Sequence, residues 1–262
     1  MVKVLMIGDI VGKPGRSALQ ALLPRLKEEL EPDLVIANGE NAAGGAGITE
    51  KVFLELQSSG IDIITGGNHS WDQKDIFNFI DRQPHLLRPA NYPEVTTPGS
   101  GSLVCNLENR GQQVAVINLI GRIFMSTVDC PFQVADRELA RLDKNIKVII
   151  VDFHAEATSE KQALGWYLDG RVSALLGTHS HVQTADERLL KKGTGYISDV
   201  GMTGLYDSIL GVDIEGPLQR FISRLPCRLH ISSGKTMFNA VLVEINERTG
   251  NAERIERIYQ IN

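Results

Sequence analysis

Asp33-Leu34-Val35-Ile36-Ala37-Asn38-Gly39-Glu40-Asn41 is an apolar run that stops abruptly on glycine and a set of polar side chains. A short continuous apolar run bounded by turn residues reads as a strand buried on both faces. The same form occurs twice more close by. Val2 to Ile7 runs into Gly8-Asp9, and Ile61 to Ile64 runs into Gly66-Gly67-Asn68-His69. Between the first two, Pro14 suits a first helical turn, and Leu19, Leu22, Leu23, Leu26 and Leu30 follow at helical spacing. Between the second and third, a glycine-rich loop from Gly44 to Gly47 leads to Thr49, a good N-cap for a helix carrying Val52, Phe53 and Leu56. This β-α-β-α-β rhythm predicts an α/β fold with a mainly parallel sheet flanked by helices.

Further along, Pro84 to Pro98 reads as an irregular connection. Leu103 to Leu107 and Val114 to Leu119 read as an antiparallel pair joined near Asn109-Arg110-Gly111. A helix over 134–144 precedes a buried strand, Lys147 to Val151, that ends in Asp152-Phe153-His154. A second helix, Thr158 to Leu168, closes at Gly170 as a C′ glycine. The strand Val172 to Leu176 then ends in Gly177-Thr178-His179-Ser180-His181. The alternating tail, Phe238 to Ile245 and Ile255 to Ile261, predicts edge or return strands. No repeat, linker or low-complexity segment divides the chain, so a single domain over 1–262 is expected.

Composition narrows the function. Of 262 residues, 42% are hydrophobic and 23% charged, ordinary values for a globular protein. The net charge of -5 argues against a protein that coats nucleic acid, so no stable nucleic-acid binding is expected. Cys105, Cys130 and Cys227 are odd in number and far apart, which favours a reduced compartment over a disulfide framework. The N-terminus reads as a first strand, not a signal peptide. No apolar run approaches the ~18 residues that span a bilayer. A cytoplasmic protein with no membrane association is the expectation.

The unusual polar residues fall just past the C-terminal ends of predicted strands, where open α/β sheets bind ligands. They are Asp9, Glu40, Asn41, Asn68, His69, His154, His179 and His181. Singly, each has an ordinary structural reading. Asp9 is a helix cap, Asn38 to Asn41 a turn, and His154 a hydrogen-bonded core residue. His179-x-His181 in an extended segment would place both rings on one side. Together they form a mixed N/O ligand set suited to Mn, Fe, Co, Ni or Zn, with no nearby thiolate of the kind structural zinc uses. Glu40, with two oxygens, is the candidate bridge between two ions. Two divalent cations against the charges of Asp9 and Glu40 leave a net positive site, which favours an anionic substrate such as a phosphate ester. His85 and His230 lie outside this pattern and read as structural. Asp152 or Glu156 is a candidate to orient a histidine ligand. The Gly44 to Gly47 loop can act as a backbone nest for phosphate or as a plain connection.

At these residues the sequence resembles the calcineurin-like metallophosphoesterases, and more closely their YmdB-like bacterial branch. The segments that carry the resemblance are Ile7 to Gly12, Ala37 to Gly45, Gly66 to Asp72, Val151 to Ala157, Gly177 to Thr184 and Asp199 to Gly204. Asp9 is followed by Ile10-Val11 where the broad superfamily has Asp-x-His, and Glu40 stands for the usual bridging aspartate; the branch shares both changes. The resemblance implies a four-layer α/β/β/α sandwich with a dinuclear centre, with iron or manganese as the expected metals. It implies that Asp9, Glu40, Asn41 and His181 hold one metal. Glu40, Asn68, His154 and His179 would hold the other, with His69 as the catalytic histidine. The implied activity is hydrolysis of small phosphodiesters, 2′,3′-cyclic nucleotides among them, by a metal-bound hydroxide with His69 assisting the leaving oxygen. Self-association into a homo-oligomer is also implied. Two other readings share these ligands: a metallohydrolase of another class, and a regulatory cyclic-nucleotide-binding protein with slow turnover. In the amidohydrolases and β-lactamase-like enzymes H-x-H comes early or is followed by Asp-His, whereas here it comes late and is followed by Val182-Gln183.

Overall fold

The computed structural model describes residues 1–107 and 110–262. Three apolar runs at the start of the chain lie side by side as parallel strands β1 (Val2–Ile7), β3 (Leu34–Asn38) and β4 (Ile63–Thr65), each buried on both faces as its continuous apolar sequence requires. A two-residue strand β2 (Asp9–Ile10) follows β1 directly. The crossover helices are α1 (Gly12–Leu30) and α2 (Glu50–Ser58). α1 turns Leu19, Leu22, Leu23 and Leu26 to the core, and the Thr49 hydroxyl caps α2 by accepting from the Val52 N–H at 3.3 Å.

The Pro-rich stretch after two 3₁₀ turns is not wholly irregular. It contains a short strand, β5 (Leu86–Leu87), that extends the parallel sheet beside β4. Two residues are too few to show a period, so the proline signal dominates the sequence. Next come β6 (Ser102–Leu107) and β7 (Gln112–Ile120), an antiparallel pair; Asn109 of their predicted turn lies outside the described residues. Helix α3 (Pro131–Arg141) starts earlier than expected because Pro131 occupies its first turn. Then follow β8 (Val148–His154), α4 (Thr158–Leu168), β9 (Ala174–Thr178), β10 (Arg188–Leu189), β11 (Gly195–Ile197), β12 (Met202–Leu205) and α5 (Glu215–Ser223). Gly170, at φ 77°, stands just past α4 as anticipated.

The tail forms β13 (Thr236–Ile245) and β14 (Ala252–Ile261), and here the expectation needs correction. Only β14 is an edge strand. β13 lies inside the first sheet, paired antiparallel with β14 on one side and with β1 and β12 on the other. Its alternate side chains enter two different cores, so it is buried on both faces despite its alternating look.

The first sheet thus runs β14-β13-β1-β3-β4-β5, with β12 and β2 joined at the end of β13. The second runs β10-β11-β9-β8-β7-β6. Three apolar clusters separate the layers. Leu5, Ile7, Leu19, Leu23, Phe53 and Leu56 pack α1 and α2 on the first sheet. Val4, Met6, Ile36, Val116, Ile150 and Leu176 pack the two sheets together. Leu119, Val134, Val151, Phe153, Leu164 and Leu168 pack α3 and α4 on the second sheet. The parallel strands of both sheets deliver their C-terminal ends to one rim. Among the described residues no helix is long and apolar enough to cross a membrane.

Candidate metal centre

A polar floor bridges the sheets beneath this rim. Asp152, the fifth residue of β8, is fully buried; its Oδ2 accepts from the Thr65 hydroxyl at 2.5 Å and from Asn38 Nδ2 at 3.3 Å, both on the first sheet. Its Oδ1 accepts from the Thr178 hydroxyl at 2.8 Å, at the end of β9. Burial pushes its carboxyl up to about 6, against the pull of His154 and these hydroxyls. Asp152 does not touch His154. It acts through Thr178, whose Oγ1 lies 2.9 Å from His154 Nδ1. With its proton given to Asp152, the Thr178 hydroxyl accepts from Nδ1–H, so Nε2 is the nitrogen that offers a lone pair once the ring is neutral.

Nε2 of His154 is the centre of a cluster. It lies 3.0 Å from Glu40 Oε1, 3.0 Å from Asn68 Oδ1 and 3.0 Å from His179 Nδ1. Glu40, His154 and His179 offer ligand atoms all within 4.8 Å of one another. Glu156 touches His179 directly, at 2.9 Å from Nε2, which leaves Nδ1 facing inward. His181 follows the same logic: its Nδ1 donates to the Leu210 carbonyl at 3.0 Å, so Nε2 carries a lone pair, and that lone pair faces a second acceptor, Asn41 Oδ1, at 3.3 Å. Asn41 is itself oriented, because its Nδ2 donates to Gly45 O at 3.1 Å. The Gly44 to Gly47 loop, with φ of 69°, 99° and 77° at its three glycines, supplies that carbonyl.

The H-x-H segment is not extended. His179 and His181 have φ of 102° and 63°, left-handed values that cost a non-glycine residue about 1–3 kcal/mol and gather at functional sites. The kinked backbone sends the two rings apart, His179 to His154 and His181 to Asn41, instead of to one side. Its hold is a buried pair. Lys161 of α4 donates to Thr178 O at 2.8 Å and to Asp199 Oδ2 at 2.7 Å, and that same oxygen accepts from Ser180 N at 2.9 Å.

Asp9 completes the group. It is fully buried; Oδ2 accepts from the His179 backbone N–H at 3.1 Å. Oδ1 has no hydrogen-bond partner, and lies 3.8 Å from His154 Nδ1 and 3.9 Å from His181 Nε2. Burial raises the Asp9 pKa, although His181 and His154 pull it down. Burial also works against charge on Glu40, yet the His154 charge and hydrogen bond and the His69 backbone N–H hold it at about 2. For His154 burial opposes protonation, but Glu40, with Asp9 and Asp152, outweighs it and raises the ring to about 9. Burial and the His154 charge push His179 down to about 3, so it stays neutral. A buried, orphaned carboxylate oxygen beside inward lone pairs is costly as it stands and suits a cation. The donor set fits transition metals.

His69 stands at the edge. Its backbone N–H donates to Glu40 Oε2 at 2.8 Å, and its ring Nδ1 lies 2.7 Å from Asp72 Oδ2. Asp72 holds the ring through Nδ1, and His69 lines a cleft together with Asn41 and His181. Gly67 has to be glycine, because a Cβ there would strike the Glu40 carboxylate and the His154 ring. His85 lies outside the cluster, its Nδ1 donating to Asp62 O at 2.9 Å, and His230 lines a separate cavity. Sequence reasoning missed Thr178, Asp72 and the Leu210 carbonyl. Only Asp72 carried a signal, its i,i+3 spacing from His69.

The chain matches known proteins along nearly its whole length. The model of a family described as "YmdB-like protein" covers residues 5–258. A 2′,3′-cyclic-nucleotide 2′-phosphodiesterase of Bacillus subtilis (strain 168) is 53% identical over 257 residues, 98% of this chain and 96% of the relative. The crystal structure of a novel phosphatase of Mycoplasma pneumoniae superposes with a TM-score of 0.93 at 33% identity, over 99% of this chain and 93% of the other. A calcineurin-like phosphoesterase, YfkN of Bacillus subtilis, matches at TM-score 0.57 and 13% identity over 99% and 90% of the two chains, a likeness of fold.

Proposed function

Because the chain belongs to the YmdB-like family, we propose that it is a dinuclear metal-dependent phosphodiesterase that opens 2′,3′-cyclic nucleotides. One observation carries this reading: three imidazoles, each tied by its outer nitrogen to Thr178, Glu156 or Leu210 O, turn their inner nitrogens toward Glu40, Asn68, Asn41 and Asp9. Asp9, Glu40, Asn41 and His181 would hold one ion, and Glu40, Asn68, His154 and His179 the second; the N/O set suits Mn, Fe, Co, Ni or Zn, and the family resemblance favours iron or manganese among them. When bound, such ions polarise the phosphoryl oxygens and make water a competent nucleophile near neutral pH.

The protein's own groups do the rest. The inner nitrogens are positioned before binding, so little reorganisation is needed beyond loss of the His154 proton. His69, steadied by Asp72, hands a proton from Nε2 to the alkoxide as one P–O bond of the cyclic phosphate breaks. Water supplies the oxygen of the new P–O bond, the proton it loses replaces the one His69 gave up, and a nucleoside monophosphate leaves. Elemental analysis and a substrate panel on the same preparation test the proposal. About two transition-metal ions per chain and turnover of cyclic phosphodiesters, not amides, are expected. Active protein reproducibly free of metal would refute it.

A further inference from the structure

The cleft beside His69 and His181 has a second wall, formed by the segment after β12. This cleft is about 600 Å³, within the range that holds a nucleotide, and its far side is lined by Leu210, Pro217, Arg220, Phe221, Arg224 and Leu229. Two features of that wall are unused by the hydrolysis described above. Arg220 and Arg224 both face the cleft, and no carboxylate lines it among the described residues. Other arginines of the surface are neutralised by acids, Arg171 at 2.6 Å from Asp136 and Arg141 at 3.0 Å from Glu94, whereas this pair has no such partner among the described residues. Phe221, between the two arginines in sequence, lines the cleft and is 67% exposed. A guanidinium pair with no internal counter-charge is suited to a phosphate, and an open aromatic face to a base. The reacting phosphate is already claimed by the metal ligands across the cleft.

We infer that this wall is a second phosphate subsite, and that the preferred substrate carries a phosphate besides the cyclic one, with a base stacked on Phe221. This rests on the phosphodiesterase reading and narrows it. The second phosphate has two sources, a 5′-phosphate on the same nucleoside or the internucleotide phosphate of an oligonucleotide ending in a 2′,3′-cyclic phosphate. The test compares kcat/KM for adenosine 2′,3′-cyclic phosphate, its 5′-phosphorylated form, and a diadenosine dinucleotide with a terminal 2′,3′-cyclic phosphate. The wild-type protein should favour at least one doubly charged substrate by about tenfold or more, mainly in KM, as charge-assisted contacts do. Which one is favoured identifies the source. In Arg220→Gln/Arg224→Gln the ratio should fall toward one, while Arg248→Gln, in the exposed β13–β14 turn, keeps it. Arg220→Lys/Arg224→Lys keeps the charge and retains part of the ratio if folding is intact. Equal kcat/KM for all three substrates in the wild type overturns the subsite and leaves the phosphodiesterase reading standing. Turnover of none of them by metal-loaded protein overturns both.

Discussion

Each clustered histidine is held by the nitrogen that faces away from the cluster, and this makes the outer partner as testable as the ligand. Thr178→Val removes the acceptor for His154 Nδ1 and a donor to Asp152. Metal affinity should fall about 10–100-fold, as it does when such outer partners are lost. Thr178→Ser keeps the hydroxyl and should restore it; metal titration followed by calorimetry reads both. Glu40→Ala should abolish metal retention on desalting, and full occupancy in that variant would refute the bridging role. His69→Ala leaves the proposed ligands in place. Its metal content should match the wild type while kcat falls about 10²–10⁴-fold, the usual contribution of a positioned acid.

At the scale of the element, the site depends on how β9 ends. Lys161 of α4 and Asp199 before β12 are both buried, and together they hold the kinked turn that separates His179 from His181. Lys161→Met strands the Asp199 charge, so stability should fall about 3–5 kcal/mol in urea unfolding of the metal-free protein. Adding Asp199→Asn should recover part of the loss, because the stranded charge is gone. The sequence was informative where a strand end and a chemically unusual side chain coincide, as at Asp9, Glu40 and His154. Continuous apolar runs located the parallel strands for the same reason. It was silent on contacts that join distant segments: Thr178 to Asp152, Leu210 O to His181, and the placement of β13 inside the sheet. A hydroxyl or a carbonyl has no motif, and alternation along β13 looks the same whether the second face meets solvent or another core. The left-handed turn at 179–181 was invisible because histidine does not advertise a positive φ as glycine does.

At the scale of the whole molecule, a metal bound as proposed would compete with protons for one cluster. His154 is raised from 6.5 to about 9 and Glu40 lowered from 4.5 to about 2. In the metal-free protein, the His154 contribution to stability is complete below 6.5 and is lost as pH rises through 9; that of Glu40 is complete above 4.5 and is lost as pH falls through 2. The pair therefore favours the metal-free fold most between 4.5 and 6.5. A cation must displace the His154 proton, so its affinity should rise about tenfold per pH unit below 9. The Tm difference between metal-loaded and metal-free protein should widen from pH 6 to pH 8, measured by calorimetry at fixed free metal; a constant gap would contradict the shared proton. A different consequence follows from the pairing of β1 with β13, which matches Val2 with Ile245 and Ile7 with Ala240. The strand that delivers Asp9 pairs early with β3, but its other neighbour is in place only when β13 has been made. Such distant pairing slows folding and leaves an apolar edge open meanwhile. A ribosome-bound chain should therefore hold the segments bearing Glu40 and Asn68 long before Asp9 is secured, and metal capture should be among the final events of the protein's birth.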